Sequence, residues 1–521
     1  MPDSESSSQP EESPAVPSPH ADQAGQATGG DSSRSPEVRT QPEPGSARNG
    51  EDLLGTKALG GSCRAPSLRE ETRLSTRTRI DPRRRIGLIA IAAFAGAVAL
   101  GTALLMLPAA TAGSAGASAV EALFTATSAV CVTGLVVVDT ATYWSPFGHT
   151  VILFLIQLGG LGILATASLL GLLISRRMGL HTRLMAAAET RTISLGDVRR
   201  AILGVLAVSA LVEGLVTAVT TARFMSHYEL PFGRALWLGF FHGVSAFNNA
   251  GFALFSDSLV GFVTDPWICL PIALAVIVGG IGFPVIIELS KRTRRPSRWS
   301  LHTKITLAVS GILVVAGTAL VLIGEWRNPA TLGALDTPGK LLAGFFQGVM
   351  PRTAGFNSVD VSQMSSGTWF GTDILMFIGG GAAGTAGGIK VTTAAVIVMV
   401  MVSELRGDPD VNIFDRRVLP FGQRQAVSIA LLAFVVVSAG TLVLEVTTQF
   451  TLGEVLFEVI SAFSLAGLST GITAELDPWQ QLILALLMFI GRVGPVTFAS
   501  AIALRQHERR IHYPHSLPIM G

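Results

Sequence analysis

The sequence predicts an all-α membrane protein built from four related units. Three observations support this prediction: an apolar composition, eight long apolar spans and four short apolar segments that share one pattern. Of the 521 residues, 49% are hydrophobic and only 14% are charged. A soluble domain needs more charge to cover its surface, so the composition favours a membrane protein.

Residues 1–82 differ from the rest, because they are rich in Ser, Pro, Glu, Gly and Arg and contain no apolar core of a signal peptide. Such a segment cannot bury enough apolar surface to offset its chain entropy, so we expect a disordered tail. Residues 83–521 are predicted to form the membrane domain. Cys63, Cys131 and Cys269 lie far apart in unlike contexts, which predicts free thiols rather than disulfides or a metal site.

The long apolar spans lie at about 86–107, 148–174, 201–222, 266–290, 305–324, 372–402, 426–447 and 479–504. Most of them have the ~20 residues that a helix needs to cross a bilayer. Within each pair of spans lies a shorter apolar segment, near 119–131, 236–248, 341–350 and 454–464. Segments of ~10–14 residues are too short to cross and are predicted to be re-entrant helices.

Arginine and lysine predict the orientation. Basic segments occur at 175–200, 291–304, 404–424 and 505–510, and three arginines precede the first span. The stretches after the first three short segments contain no Lys or Arg but do contain aspartates. An even number of spans with both termini in the cytoplasm agrees with this distribution.

The short segments repeat one pattern, which is evident when they are aligned on four glycines. These are Gly134, Gly251, Gly355 and Gly467, with Phe124, Phe241, Phe345 and Phe457 ten residues before them. Six residues before the glycine stand Ser128, Ser245 and Ser461, whereas the third copy has Val349. One such glycine could simply cap a helix, but four aligned copies indicate an internal repeat.

The repeat predicts four pseudosymmetric helix–pore-helix–helix units, about 83–200, 201–300, 301–420 and 421–521, around one central pore. About eight transmembrane spans and four re-entrant pore helices make up these units. Glycine turns that meet on one axis expose backbone carbonyls, which can replace the hydration shell of a cation. The negative C-terminal ends of the pore helices favour a cation too. Asp139, Asp257 and Asp360 are predicted to add negative potential at the outer mouth.

These motifs resemble the Trk/Ktr/HKT superfamily of potassium transporters and, within it, the KtrB-like membrane subunits. The similarity covers residues 83–521 and includes "LFTATSAVCVTGLVVVDT", "GVSAFNNAGF", "QGVMPRTAGFNSVD" and "EVISAFSLAGLSTGIT". The resemblance implies a potassium filter formed by Val132, Thr133, Gly134, Asn249, Ala250, Gly251, Thr353, Ala354, Gly355, Leu465, Ala466 and Gly467. Glycine rather than serine at position 134 points to potassium rather than sodium in such a family.

The run "FIGGGAAGTAGGIKV" at 377–391 places many glycines inside a long apolar span. No strand precedes it, so its G-x-G-x-x-G pattern does not indicate a nucleotide site. Close helix packing through small residues is one interpretation. Because span 372–402 is too long for one crossing, we favour a broken helix with a loop at membrane depth. The run resembles the intramembrane gating loop of the same family.

The predicted gate comprises Gly379, Gly380, Gly381, Gly384, Thr385, Gly387, Gly388, Lys390 and Arg492. Arg492 lies inside the last span, where a charge is costly and often functional. It could face the pore and contact carbonyls of the loop, or pair with a buried Glu288 or Glu445. Lys390 ends the loop and could instead extend to the cytoplasmic surface.

No catalytic constellation is evident, so the sequence predicts a transporter rather than an enzyme. The resemblance implies potassium as the transported ion, no covalent cofactor, a homodimer in the plasma membrane, and a cytoplasmic ring of KtrA/TrkA-type subunits that bind the regulatory nucleotide. Sodium dependence stays open, and no nucleic-acid partner is expected. The alternatives are a sodium-permeable or sodium-coupled member of the family and a secondary transporter with alternating access.

Overall fold

The computed structural model describes residues 82–113, 116–160, 195–292, 296–414 and 416–494. The predicted tail lies outside this part of the chain, except for Pro82. The ends of the predicted spans 148–174 and 479–504 also lie outside it. The buried thiols of Cys131 and Cys269 are free, as predicted.

The described residues are mainly helical. The α-helices are α1 (Pro82–Leu105), α2 (Ala119–Cys131), α3 (Thr140–Tyr143), α4 (Pro146–Gly160), α5 (Leu195–Ser226), α6 (Phe232–Phe247), α7 (Pro266–Ile281), α8 (Phe283–Arg292), α9 (Leu301–Glu325), α10 (Thr337–Val349), α11 (Ser366–Phe377), α12 (Val391–Arg406), α13 (Pro420–Thr447), α14 (Leu452–Ser464) and α15 (Pro478–Val493). Short 3-10 turns occur at Pro108–Ala110, Val260–Phe262, Pro296–Arg298, Val361–Gln363 and Ile472–Ala474. Strands β1 (Asn412–Ile413) and β2 (Arg416–Arg417) pair antiparallel, with Asn412 opposite Arg417.

A long helix followed by a short helix recurs along the chain, as α1–α2, α5–α6, α9–α10 and α13–α14. The two members of each pair pack against each other. The short helices begin at identifiable signals. Capping boxes start α2, at Ser118 with Glu121, and α14, at Thr451 with Glu454. Asp336 caps α10, and α6 follows Pro231, so these two helices begin four residues before the predicted segments.

Three of the described helices are long and apolar enough to cross a membrane: the Leu203–Ser226 part of α5, α9 and α13. The pair α7–α8 would be a fourth if it is counted as one broken span. Exposed apolar side chains on α13 include Phe434 and Val446, at 64% and 76% exposure, as expected for a surface that faces lipid. The count of eight spans stays a prediction.

The predicted span at 266–290 is not one straight helix, because the chain bends by 96° between α7 and α8. Gly282 at the bend has a φ of 98°, a value that other residues rarely adopt. A methyl group on Gly282 would also come within 2.6 Å of the carbonyl oxygen of Ala382. The bend therefore accommodates the segment between α11 and α12, which the sequence pattern of 266–290 could not reveal.

The core lies around the short helices. Three of the four repeated phenylalanines, Phe124, Phe241 and Phe457, are fully buried. In the third copy Phe345 is only half-buried, and its neighbour Phe346 is fully buried instead. The third copy also differs in having Val349 in place of serine. It is therefore the most divergent of the four.

Candidate functional site

Each short helix ends in a turn of the same conformation, and we call the four turns the pore turns (residues 132–134, 249–251, 353–355 and 465–467). The first residue of each turn is left-handed: Val132, Asn249, Thr353 and Leu465 have φ values of 59°, 58°, 68° and 60°. Two residues later Gly134, Gly251, Gly355 and Gly467 have φ values of 93°, 72°, 76° and 79°. The first position is not glycine in any copy, so its strain has to be offset by the surrounding structure.

Backbone hydrogen bonds at the helix ends offset this strain. The amides of Thr133, Ala250 and Ala466 each donate to the carbonyl five residues earlier, at 2.8, 2.8 and 2.9 Å. This Schellman arrangement satisfies carbonyls that a helix end otherwise leaves unpaired. In the third copy Ala354 donates to Met350, four residues earlier, at 3.1 Å.

The four pore turns form a closed ring. A methyl group on Gly134 would lie 2.5 Å from the carbonyl oxygen of Ala250, and one on Gly251 would lie 2.7 Å from that of Ala354. One on Gly355 would lie 3.0 Å from that of Ala466, and one on Gly467 would collide with that of Thr133. Each glycine thus packs against the carbonyl of the next turn, and the fourth returns to the first. All twelve residues of the predicted filter meet here.

A cavity of about 540 Å³ lies directly above the ring. The four ring glycines and the three predicted mouth residues Asp139, Asp257 and Asp360 line it. In the fourth unit, Asp477 caps α15. Three carboxylates thus share one cavity, and their role at an outer mouth stays a prediction.

Each of these aspartates also organises its own loop. Asp139 caps α3 and accepts hydrogen bonds from the hydroxyls of Thr142 and Ser256. Partial burial opposes ionisation of Asp139, but these hydrogen bonds outweigh it, and its pKa lies below its ordinary value. Asp257 accepts from the amide of Gly261, and Asp360 from that of Ser362.

The helix predicted at 372–402 is broken, which confirms the predicted interruption. Helix α11 ends at Phe377 and α12 begins at Val391. The two ends of the segment between them are joined, because the amide of Gly379 donates to Ile389 at 2.9 Å and that of Val391 to Gly380 at 3.0 Å. We call residues 379–388 the glycine loop.

The glycine loop packs against the inner side of the pore turns. The hydroxyl of Thr385 donates to the side chain of Asn249, a pore-turn residue, at 2.9 Å. A methyl group on Gly387 would lie 2.5 Å from the carbonyl oxygen of Ser464, directly before another pore turn. The amide of Gly381 donates to Gly280 at the end of α7, at 2.8 Å. The loop thus connects the ring with the bend between α7 and α8.

Arg492 connects the glycine loop with the end of α4. Its guanidinium donates to the carbonyl oxygens of Thr385, at 2.7 Å, and of Gly159, at 2.8 Å. The alternative partner Glu288 bonds instead with Ser300 and Thr303. Of the two interpretations of Arg492, its contacts with described residues therefore match the one in which it binds carbonyls of the loop.

Lys390 also binds the glycine loop. Its ammonium group donates to the carbonyl oxygens of Ala386 and Gly387, at 2.6 and 3.3 Å. It therefore closes the C-terminal end of the glycine loop. Lys390 is partly exposed, so the alternative that it also reaches the cytoplasmic surface stays open.

The sequence pattern did not reveal the packing role of three glycines in the helices that follow the pore turns. Gly159, Gly279 and Gly491 each pack directly against the carbonyl four residues before a ring glycine, those of Val130, Phe247 and Phe463. A side chain at any of them would push the short helix away. Their similar distance in sequence after the ring glycine, 24 to 28 residues, was the signal that could have identified them.

A buried polar cluster beside the second pore turn was also missed. The carboxylate of Glu213 accepts from Ser209 at 2.6 Å and from Gln157 at 3.2 Å, and Asn248 donates to Gln157 at 2.8 Å. This polar cluster joins α4, α5 and the end of α6. Gln157 and Asn248 lie too far from Glu213 in the sequence to be identified as its partners.

Comparison of the chain with known proteins identifies its relatives. The chain is 40% identical over 417 residues to the Ktr system potassium uptake protein B of Bacillus subtilis, with 80% of this chain and 92% of that protein covered. It is 32% identical to the potassium/sodium uptake protein NtpJ of Enterococcus hirae, with 85% of this chain and 98% of that protein covered. These relatives are named as ion uptake proteins and not as enzymes.

The fold is also similar to a solved structure, the potassium transporter TrkH from Vibrio parahaemolyticus. The TM-score is 0.64 at 16% identity, with 82% of this chain and 86% of that chain covered. The TrkH family model, described as a cation transport protein, matches residues 67–509. This chain therefore belongs to the TrkH family of cation transport proteins.

Proposed function

We propose that this chain takes up potassium through a pathway along the axis of the ring, with the pore turns as its selectivity filter. The ring of four backbone carbonyls, each packed on the next turn, carries this proposal. In it, four pseudosymmetric units of about eight spans surround the pore. Carbonyl oxygens replace the water around a potassium ion, and the ring fixes how far apart they lie.

Electrostatics support a cation. The four short helices end at the ring, so their negative ends lie near the path. Asp139, Asp257 and Asp360 line the cavity above and raise the local concentration of cations. A membrane potential of 100 mV supplies ~2.3 kcal/mol per charge, which drives uptake without any chemical step in this chain.

The glycine loop and Arg492 are proposed to form the gate. The loop packs beneath two pore turns, and the guanidinium of Arg492 binds it at Thr385. A positive charge beneath the ring raises the barrier for a cation, and the loop obstructs the path. Opening then requires the loop to leave the turns and Arg492 to release its two carbonyls.

Regulation is assigned to a partner. The Bacillus relative is named as part of a Ktr system, which supports a separate regulatory subunit for this chain. We propose a cytoplasmic nucleotide-binding ring, a homodimer of the membrane subunit and a location in the plasma membrane with both termini inside.

The test is uptake of rubidium, as a potassium analogue, into proteoliposomes that contain the chain and a KtrA-type partner. The parent is compared with Gly134→Ser. A side chain there collides with Ala250 and requires an unfavourable φ of 93°. We expect at least a tenfold loss of discrimination against sodium. Gly96→Ser is the control, because a side chain at Gly96 meets no atom within 4 Å. Equal selectivity of parent and Gly134→Ser would overturn the filter assignment.

A sodium-permeable or sodium-coupled transporter is the second candidate, since the Enterococcus relative is named for potassium and sodium. The same liposomes distinguish the two. Sodium influx at the rubidium rate would favour the second candidate, and uptake that requires sodium on the same side would favour coupling. Alternating access has less support, because the four turns share one conformation and close one ring.

A further inference from the structure

The amide three residues after the ring glycine has a side-chain acceptor in three of the four units. Leu254, Ser358 and Thr470 carry these amides. The acceptors are His242 Nε2 at 3.3 Å, Gln347 Oε1 at 3.4 Å and Glu458 Oε1 at 2.8 Å. All three acceptors belong to the short helices and are at most 2% exposed. Three chemically different side chains thus make one equivalent contact.

The distances in sequence from these acceptors to their ring glycines are similar as well. His242 and Glu458 stand nine residues before their ring glycines, and Gln347 stands eight before its own, next to the apolar Phe346. We call the three residues after each ring glycine the outer limb (135–137, 252–254, 356–358 and 468–470). Each acceptor holds the end of one outer limb against its own short helix.

The first unit lacks this contact. Thr125 stands nine residues before Gly134, and its hydroxyl is buried without a hydrogen-bond partner among the described residues. The outer limb 135–137 therefore has no side-chain support of this kind from α2. Thr125 provides a natural comparison for the other three positions.

Glu458 makes the strongest of the three contacts. Besides the amide of Thr470, its carboxylate accepts from the hydroxyls of Ser469 at 2.6 Å, Thr470 at 3.2 Å and Thr473 at 2.6 Å. Ser469, Thr470 and Thr473 all line the cavity above the ring. Hydrogen bonds to a buried carboxylate are stronger than neutral ones, so this network fixes the fourth outer limb most firmly.

His242 accepts, and does not donate, the hydrogen bond that it makes with the amide of Leu254. Its Nδ1 lies 2.7 Å from the carbonyl oxygen of Leu238, so Nδ1 carries the proton and Nε2 is free to accept from Leu254. Only this neutral tautomer satisfies both neighbours. The imidazole of His242 also stacks on the side chain of Phe255, with centroids 5.1 Å apart, which keeps the imidazole in place.

We propose that His242, Gln347 and Glu458 are positioning residues that set the selectivity of the filter by fixing three outer limbs, with Glu458 making the largest contribution. The proposal rests on the assignment of the pore turns as the filter. Without the acceptor, a buried amide loses its partner and the limb rotates to recover one. The carbonyls of the ring then lose their fixed separation, on which discrimination between potassium and sodium depends.

The experiment compares Glu458→Leu, Glu458→Gln and the control Thr125→Val in proteoliposomes with the partner subunit. Rubidium uptake is measured against increasing external sodium, and the protein is also assayed for amount and thermal unfolding. Leucine keeps the volume but removes the acceptor, whereas glutamine keeps an oxygen for the amide of Thr470. We expect about a tenfold loss of rubidium-over-sodium discrimination for Glu458→Leu. Glu458→Gln restores most of it, and Thr125→Val retains the parent value.

Gln347→Leu and His242→Leu repeat the comparison at the two longer contacts, with smaller expected losses of two- to fourfold, on the order of one neutral hydrogen bond. They also serve if Glu458→Leu does not accumulate. Discrimination equal to the parent in all three leucine variants would overturn the proposal. An equal loss in Glu458→Gln and Glu458→Leu would also overturn it, because the acceptor would then not matter. A parent that does not discriminate at all would instead refute the proposed function.

Discussion

The ring of pore turns and the glycine loop are both rich in glycine, yet they use it differently. The four ring glycines all have left-handed φ values, whereas in the loop only Gly388 among the glycines does. In the loop, Gly379 and Gly381 instead lie directly against the carbonyls of Gly387 and Ile281. The ring thus needs glycine for its backbone conformation and its packing, and most of the loop needs it only for close packing.

This difference predicts opposite functional effects for the same substitution. If the ring is the proposed ion path, a side chain in it distorts that path. A side chain in the loop destabilises only the packed conformation beneath the ring, because most of the loop backbone is not restricted to glycine. Mutations of the ring should therefore reduce selective uptake, and mutations of the loop should raise basal flux.

The largest effect is expected for Gly467→Ala. The methyl group collides with the carbonyl of Thr133 and with Gly355, and the left-handed φ of 79° adds strain of ~1–2 kcal/mol. We expect selective rubidium uptake to fall by tenfold or more. Gly407→Ala is the matched control, since its φ is 72° but no atom lies within 4 Å. Similar losses in both variants would show that backbone strain alone, and not the ring, is responsible.

Gly381→Ala should act in the other direction. Its methyl group would collide with the carbonyl of Ile281 in α7, so the packed loop is destabilised. We expect uptake without any partner subunit to rise severalfold, on the order of 1–3 kcal/mol of overpacking. Gly311→Ala, in the middle of α9 with no atom within 4 Å, should leave uptake unchanged. A decrease for Gly381→Ala would contradict a gating role of the loop.

Arg492→Gln tests the second part of the gate. The variant removes the charge and at least one of the two bonds to Thr385 and Gly159. Basal uptake should rise by two- to tenfold, since the net loss of one hydrogen bond costs the packed state ~0.5–1.5 kcal/mol. Arg406→Gln, an exposed arginine at the end of α12, controls for loss of charge. The assignment fails if both arginine variants behave alike.

The smallest effect is expected for Asp139→Asn, which removes one of three carboxylates at the mouth. Uptake at low ionic strength should fall by less than threefold, and high salt should abolish the difference. The pKa of Asp139 lies below its ordinary value of 3.8, so its charge is complete at neutral pH. Its contribution to stability is present above that ordinary value and is lost as the pH falls through the lower pKa of the folded state. A difference in uptake between the parent and Asp139→Asn that changes between pH 5 and 7 would contradict full ionisation of Asp139 in this range.

Much of the site could be predicted from the residues. The four glycines and the interruption after Phe377 follow from repetition and from the length of an apolar span, whereas the proposed filter residues beside the glycines follow from the family resemblance. The roles of Lys390 and Gly282 could not be predicted in the same way. Both depend on carbonyl oxygens of the glycine loop, those of Ala386 and Ala382, and backbone atoms leave no mark on a sequence pattern.

The sequence by itself determined the membrane class, the repeat and the positions of the pore turns, because hydrophobic length and glycine spacing are local properties. Only the tertiary structure decided that the turns close into a ring, that Arg492 binds Thr385 and that His242, Gln347 and Glu458 each accept a hydrogen bond from a backbone amide. A hydrogen bond to a backbone amide accepts any suitable side-chain atom. Histidine, glutamine and glutamate can therefore accept the same hydrogen bond. Their shared contact is evident in the folded structure and not in a residue pattern.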